Sequence, residues 1–202
     1  MQHQQIPADE RKNGVFLKKL KAGDKLSLRE FVTRFQSPVY NLAYKILWNK
    51  EDAEDVLQEA FIKIIKNLAD FRGESNLATW IYKIATNTAL MKLRERRKKQ
   101  GRLAELDEID VQDIMPSQVS PVVQDPFDDL LQNESIEILE KAIDQLPEIY
   151  RGAFVLKDVE QLPTEDITYI LGISADAFYS RLKRARMLLR EAVLAVYQEE
   201  RN

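Results

Sequence analysis

Residues 164–191 read TEDITYILGISADAFYSRLKRARMLLRE and carry the clearest structural signal in the chain. Thr164 is expected to cap a helix that ends at Gly172, because glycine adopts the left-handed backbone conformation at little cost. Ser174 is expected to cap a second helix, which continues through at least Glu191. Two helices joined by a glycine-containing turn within about 25 residues are typical of a helix-turn-helix.

The second of these helices has an apolar face and a largely cationic face. The residues expected to pack inward are Phe178, Leu182, Ala185 and Leu189. The residues expected to face outward are Asp176, Tyr179, Ser180, Lys183, Arg184 and Arg186, with Arg181 toward one flank. In a helix-turn-helix the second helix enters the major groove, where Lys and Arg bind phosphates or guanine. This pattern favours duplex DNA binding over a hairpin whose charged face is only solvated.

Charge and proline divide the chain into segments. Residues 1–100 carry a net charge of +8, residues 101–134 carry −8 and residues 135–202 carry −3. Three prolines interrupt the acidic segment, and proline at such spacing stops helices. The predicted organisation is a tail and first helix at 1–24, a helical domain at 25–100, an extended acidic linker at 101–134 and a helix-turn-helix domain at 135–202. Within the last domain, one helix is expected to end at Pro147 and the next to run from about Glu148 to Val159.

Composition excludes several classes of function. The 202 residues include no Cys, and the single histidine, His3, lies in the polar N-terminal tail. Disulfides, thiolate metal sites and Cys or His catalysis in the folded body are therefore excluded. Low Gly and Pro content favours helix, and the chain has neither a run of about 18 apolar residues nor an apolar signal peptide. We expect a soluble, cytoplasmic, all-α protein without metal, cofactor or catalytic residues.

The N-terminal domain is predicted to be helical throughout, with Pro38 starting a new helix. Acidic side chains crowd the first turn of the following helix: Glu51, Asp52, Glu54 and Asp55. They diverge around that turn, whereas a metal chelate needs converging oxygens. They indicate either a helix N-terminus, where carboxylates interact favourably with the positive end of the helix dipole, or a contact surface for a basic partner.

The segment that closes this domain interleaves aromatic, amide and cationic side chains. A loop, Phe71-Arg72-Gly73-Glu74-Ser75-Asn76, precedes a helix that ends in the basic run 94–99. Trp80 and Tyr82 point to different faces, so one of them is expected to be in the core. Single-stranded nucleic acid is held by such aromatics and cations, but a solvated basic helix end is an equally good interpretation of the run.

Three stretches together resemble the extracytoplasmic-function (ECF) group of bacterial RNA polymerase sigma factors. EDAEDVLQEAF at 51–61 resembles region 2.2, and FRGES at 71–75 with TWIYKIA at 79–85 and Asn87 resembles regions 2.3 and 2.4. The segment from Leu146-Pro147 to SRLKRAR at 180–186 resembles region 4. The stretches occur in the expected order and cover most of residues 28–99 and 135–192.

The resemblance implies a role for each stretch. Core polymerase, through the clamp helices of its β′ subunit, would be bound by Asp55, Gln58 and Glu59. The −10 element, opened by capture of a flipped base, would be bound by Phe71, Arg72, Ser75, Trp80 and Asn87, with Arg94, Arg96, Arg97 and Lys98 on phosphates. The −35 element would be bound by Ser180, Arg181, Lys183, Arg184 and Arg186.

The resemblance also implies partners: core RNA polymerase, including the β flap, promoter DNA in duplex and single-stranded form, and an anti-sigma factor. The acidic linker would thread toward the RNA exit path. The chain departs from the family pattern at Met91, Pro163 and Phe178-Tyr179, and the last of these leaves the −35 sequence open. Two alternatives remain: a helix-turn-helix regulator that acts without core polymerase, and a helical adaptor with only protein partners.

Overall fold

The computed structural model of the chain describes residues 10–73, 75–99 and 142–199. Its helices are α1 (Glu10–Lys21), α2 (Lys25–Leu47), α3 (Lys50–Asn67), α4 (Leu77–Lys99), α5 (Glu148–Phe154), α6 (Thr164–Leu171) and α7 (Ala175–Glu199). A π-helical turn, Val155–Val159, continues α5 to the predicted end of that helix. The described ranges contain no strand, so the predicted all-α fold is confirmed. The predicted linker lies outside the described residues, and the domain boundaries stay predictions.

Residues 10–99 form the N-terminal lobe, in which α2, α3 and α4 pack on one another and α1 packs on α2. The Phe31 and Phe61 rings meet edge to face with centroids 5.8 Å apart. Ile64, Ile81 and Leu93, from α3 and α4, are fully buried. This shared core fixes α3 against α4, the two helices that carry the predicted polymerase and −10 residues.

Side-chain caps set where α2 and α3 begin. The Asp24 carboxylate accepts a hydrogen bond from the Ser27 backbone N–H at 2.8 Å, and Asn49 Oδ1 accepts one from Asp52 N–H at 2.8 Å. These N–H groups have no partner within the helix, so the caps satisfy them. The side-chain hydrogen bond from Ser27 lowers the pKa of Asp24. The Asn49 cap places the acidic residues of the following segment in the first turns of α3, as the sequence indicates.

The prediction that Pro38 starts a new helix is wrong, because Pro38 lies inside the continuous helix α2. Proline within a helix removes one backbone hydrogen bond at a cost of about 3 kcal/mol. The residues around it nevertheless bury one continuous apolar stripe, with Phe35, Val39 and Leu42 each at most 3% exposed. Burial on both sides of the proline outweighs the lost bond and keeps the helix whole.

Residues 142–199 form the C-terminal lobe, in which α7 packs mainly on α5. The face predicted to be apolar is buried, as expected: Phe178, Ala185 and Leu189 are fully buried and Leu182 is 5% exposed. Gly172 ends α6 with φ 66° and ψ 37°, the predicted left-handed conformation. Ser174 caps α7, since its Oγ accepts from the Ala177 N–H at 3.2 Å. The helix-turn-helix geometry is therefore present.

The predicted N-cap of α6 is wrong. Pro163 occupies the cap position and makes no side-chain hydrogen bond there, and Thr164 is the first helical residue. The fixed φ of proline suits the entry to a helix, so α6 begins one residue earlier than a Thr164 cap requires. The Thr164 hydroxyl lies instead 3.3 Å from the Tyr179 hydroxyl of α7.

Replacing Gly172 by alanine is expected to destabilise the C-terminal lobe by about 1–2 kcal/mol, the cost of a left-handed non-glycine residue. No heavy atom lies within 4 Å of an added Cβ, so the effect is that of the backbone alone. Urea unfolding followed by circular dichroism measures the loss. Gly14→Ala is the matched control: Gly14 lies inside α1 with equally open surroundings, and there alanine stabilises the helix. Equal effects of the two changes would contradict this explanation.

The two lobes are packed against each other along α4. Its contacts with the C-terminal lobe are with α5 and, more extensively, with α6. At Gly152 of α5, a Cβ would lie 3.1 Å from Leu90 Cδ1 of α4 and 3.4 Å from Leu171 Cδ2. The absence of a side chain at Gly152 therefore allows the close approach of α5 to α4.

Candidate nucleic-acid interface

The acidic residues of α3 face solvent except for Asp52, which is half-buried and accepts a hydrogen bond from Arg96 Nη1 at 3.1 Å. Asp55, Gln58 and Glu59 are all exposed. Lys92 Nζ of α4 lies 2.9 Å from Asp55 Oδ2, and this hydrogen bond raises the pKa of Lys92. Lys63 Nζ lies 2.7 Å from Glu59 Oε1. α3 thus presents an exposed acidic row, two of whose carboxylates are oriented by neighbouring lysines.

An aromatic pair joins the loop after α3 to the start of α4. Phe71 is 7% exposed, and its ring centroid lies 5.0 Å from that of the half-buried Trp80. Arg72 is exposed and Ser75 is half-buried, and the Ser75 hydroxyl donates to the Asn76 carbonyl at 3.3 Å. Phe71 therefore supports the Trp80 ring from inside the lobe.

Helix α4 separates its two predicted aromatic residues as expected. Tyr82 is 2% exposed, and burial raises the pKa of its phenol. Trp80 is half-buried, so one of the pair is core, which confirms the prediction. Asn87 is exposed and lies two turns after Trp80, on the same side of the helix. An aromatic ring and an amide are therefore aligned on a partly exposed side of α4.

The basic run at the end of α4 is divided between solvent and the lobe interface. Lys98 is exposed, and so is Arg94, whose Nε lies 3.6 Å from Glu148 Oε1. Arg96 is half-buried and donates to Asp144 Oδ1 at 3.0 Å. Arg97 is 8% exposed and donates to the Asp144 carbonyl at 2.9 Å. Three of the four predicted phosphate ligands are thus paired with the C-terminal lobe, although Arg94 remains exposed.

A buried arginine that was not among the residues predicted from the sequence lies in this interface. Arg151 is fully buried and donates to the Ile46 carbonyl of the N-terminal lobe at 2.8 Å and to Asp144 Oδ1 at 3.3 Å. Burial lowers the pKa of Arg151 to about 10, and the nearby Asp144 opposes that shift. Its position within the apolar run YRGAFVL, residues 150–156, was the available signal for burial.

Further polar contacts join the lobes on the Trp80 side of α4. Thr79 Oγ1 donates to Asp166 Oδ1 of α6 at 2.9 Å. Lys83 Nζ lies 4.1 Å from the centroid of the Tyr169 ring, also on α6. The first helix of the helix-turn-helix therefore lies beside the residues predicted to bind single-stranded DNA.

The recognition helix α7 presents a ridge of exposed residues at intervals of three or four positions. They are Asp176, Tyr179, Lys183, Met187 and Arg190. Of the predicted −35 residues only Lys183 belongs to this ridge; the half-buried ones are Ser180, Arg181, Arg184 and Arg186. The exposed cationic surface of α7 is thus smaller than the periodicity predicts, because the arginines lie half-buried at its edges.

Arg186 makes a bidentate ion pair. Its Nε and Nη2 donate to the two carboxylate oxygens of Asp158 at 2.9 Å and 2.7 Å. Asp158 belongs to the π-helical turn after α5. A bidentate pair between a guanidinium and a carboxylate is strong and directional, so it stabilises the packing of α7 against the π-helical turn after α5.

The described residues contain no cluster of three or more acidic or histidine side chains arranged to hold a metal ion. No helix in the same part of the chain has the length and hydropathy that crossing a bilayer requires.

Both lobes match known sequence families. Residues 31–99 match Sigma-70 region 2, and residues 136–189 match Sigma-70, region 4. The chain is 31% identical over 189 residues to the ECF RNA polymerase sigma-E factor of Haemophilus influenzae, covering 92% of this chain and 97% of that protein. It is 30% identical over 178 residues to the ECF RNA polymerase sigma factor SigW of Bacillus subtilis, with coverages of 87% and 93%.

Solved structures share the fold. CnrH, in complex with the cytosolic domain of CnrY, superposes with a TM-score of 0.61 at 19% identity, covering 90% of this chain and 96% of that one. The sigma factor RpoE of Bartonella quintana, in complex with the anti-sigma factor NepR, gives a TM-score of 0.57 at 21% identity, with coverages of 82% and 96%. At these identities the likeness concerns the fold alone.

Proposed function

This chain belongs to the ECF group of the sigma-70 family, and we infer that it binds core RNA polymerase, recognises the −10 and −35 promoter elements and helps to separate the DNA strands. The observation that carries this proposal is the order of surfaces along one chain. An acidic helix is followed by an aromatic and amide helix and then by a helix-turn-helix, within the residues that match regions 2 and 4.

We propose that α3 docks on the clamp helices of the polymerase β′ subunit. Asp55, Gln58 and Glu59 are exposed along one side of this helix. A row of carboxylates attracts a basic partner and sets its register. The C-terminal lobe would contact the β flap, as the family resemblance implies.

The −10 element is assigned to the loop after α3 and to the partly exposed side of α4. Trp80, supported by Phe71, offers a ring face for stacking, and Asn87 offers an amide on the same side. Arg72 and Ser75 flank this surface. Stacking on an aromatic ring offsets the cost of extruding a base from the duplex.

Contact of Arg96 and Arg97 with DNA requires the two lobes to separate. The Arg96 and Arg97 guanidiniums donate to Asp144, and a donor occupied in this way is not available for a phosphate. Arg94 and Lys98 are exposed. We propose that Arg94 and Lys98 make the first phosphate contacts. Arg96 and Arg97 would bind phosphates only after the chain has bound polymerase and its two lobes have separated.

The helix-turn-helix is assigned to the −35 duplex, through Lys183 and the flanking Ser180, Arg181 and Arg184. An anti-sigma factor would inhibit the chain by covering both DNA-binding surfaces. The chain itself would catalyse nothing, because polymerase forms the bonds, and it would act in the cytoplasm where polymerase meets the chromosome.

Reconstituted transcription tests this proposal. The full chain, added to bacterial core polymerase, is expected to form a complex and to produce transcripts only from templates with its promoter. Failure to bind core would refute the proposal; duplex binding without core would then favour a helix-turn-helix regulator, and binding to neither core nor DNA would favour a protein adaptor.

Alanine in place of Trp80 is expected to slow promoter opening about tenfold, since stacking contributes about 1–3 kcal/mol per base. Alanine in place of Asn87 is expected to slow it less, since a hydrogen bond contributes about 0.5–1.5 kcal/mol. Core binding should be unchanged, because the α3 row lies elsewhere. Permanganate reactivity of unpaired thymines measures opening, and co-sedimentation measures core binding. Glu95→Ala, an exposed change on the same helix, is the control. Equal loss of opening and core binding would indicate misfolding instead.

A further inference from the structure

An exposed position near the start of the recognition helix is occupied by an aromatic residue. Tyr179 is 54% exposed and lies in the second turn of α7, on the ridge that includes Asp176 and Lys183. The predicted cations beside it, Arg181 and Arg184, are half-buried. A neutral ring therefore projects where the early residues of a recognition helix reach base edges.

The Tyr179 ring is held in place from two sides. Its hydroxyl lies 3.3 Å from Thr164 Oγ1 at the start of α6. Its ring lies 5.1 Å, centroid to centroid, from the fully buried Phe178 ring. Because the polar end of the side chain already has a partner in the preceding helix, the ring is the part left for contact with DNA.

An apolar ring edge distinguishes base pairs by one feature of the major groove. Thymine alone among the four bases presents a methyl group there, and apolar side chains contact it. We propose that Tyr179 is a specificity-determining residue that packs its ring against a thymine methyl in the −35 element. This inference rests on the proposed function and specifies which base that surface prefers.

Removing only the methyl group tests this contact. Upstream duplexes that the holoenzyme binds are first selected from a randomised pool, and their thymines are then replaced one at a time by deoxyuridine, which pairs identically but lacks the methyl. Wild-type holoenzyme is expected to lose about fourfold in affinity at one thymine, the factor that burial of one methyl-sized group gives.

Two substitutions distinguish the contribution of the Tyr179 ring from that of its hydroxyl. Tyr179→Ala is expected to bind thymine and deoxyuridine duplexes equally, and Tyr179→Phe is expected to keep the fourfold difference. Leu194→Ala, at a 48% exposed position four turns further along α7, should also keep it. Circular dichroism of each variant verifies that the lobe is folded.

The outcomes distinguish the two proposals. A holoenzyme that selects no upstream sequence would refute the −35 assignment itself. Sequence-specific binding without a deoxyuridine effect, or an effect that persists in Tyr179→Ala, would overturn only the Tyr179 contact. Loss of the difference in Tyr179→Phe would also overturn it, since the hydroxyl would then make the contact.

Discussion

Replacing Asp144 by alanine is expected to separate the two lobes. Its carboxylate accepts from Arg96 Nη2 at 3.0 Å across the interface and from the buried Arg151 at 3.3 Å within the C-terminal lobe. Without it, Arg151 is a buried cation that lacks a counter-charge. Breaking a buried pair costs about 3–5 kcal/mol, and partial exposure of Asp144 reduces this to about 2–3 kcal/mol. The ratio of separated to packed lobes should rise about 30- to 150-fold.

Fluorescence transfer between the lobes measures this separation. Since the chain contains no cysteine, Lys66→Cys and Leu194→Cys provide one labelling position in each lobe, both exposed. The Asp144→Ala chain should show lower transfer than wild type and bind forked promoter DNA more tightly, because separation exposes Arg97 and the Arg96 Nη2 group, while Arg96 Nη1 keeps its contacts with Asp52 and Leu47 of the N-terminal lobe. Glu95→Ala, which removes an exposed carboxylate from α4, should change neither property.

A double substitution isolates the contribution of the buried charge. Arg151→Met removes the cation that Asp144 neutralises, and apolar replacement of a buried pair is often neutral or stabilising. Asp144→Ala combined with Arg151→Met should therefore recover part of the lost transfer. If the double variant is as open as Asp144→Ala alone, the unpaired Arg151 charge is not the cause of separation.

Truncating Phe178 to alanine is expected to destabilise the C-terminal lobe by about 3–5 kcal/mol, the usual cost of removing a buried phenyl ring. Phe178 is fully buried at the second turn of α7, where it packs the recognition helix onto the lobe. This loss is large compared with the stability of a small domain. Binding to the −35 duplex should be abolished, whereas core binding through α3 should persist.

Two optical probes assign the loss to one lobe. Both tryptophans, Trp48 and Trp80, lie in the N-terminal lobe, so their fluorescence follows that lobe while circular dichroism follows all helices. In the Phe178→Ala chain, the circular dichroism signal should be lost at a clearly lower urea concentration than the one at which the tryptophan fluorescence changes. Met187→Ala, on the exposed ridge, should stay within about 0.5 kcal/mol of wild type. If dichroism and fluorescence both change at the same low urea concentration, the two lobes unfold as one unit.

Local patterns were sufficient for the individual helices. The buried face of α7, the left-handed Gly172 and the Ser174 cap follow from apolar spacing and from backbone preferences within a few residues. Spacing also predicts that one of Trp80 and Tyr82 is in the core, but not which one. The two errors differ in origin. Burial along α2 keeps Pro38 inside a continuous helix, whereas the fixed φ of Pro163 starts α6 one residue earlier than a Thr164 cap requires.

By itself the sequence determined that the chain is helical, that it contains a helix-turn-helix and that its motifs are those of a sigma factor, because periodicity, capping and motif spacing are local properties. The tertiary structure alone decided which cations face solvent. The sequence does not show which group each charged side chain pairs with. Arg96, Arg97 and Arg151 each have a partner at least 48 positions away along the chain. Only packing of the N-terminal lobe against the C-terminal lobe brings those groups together, and so the role of each arginine depends on long-range contacts.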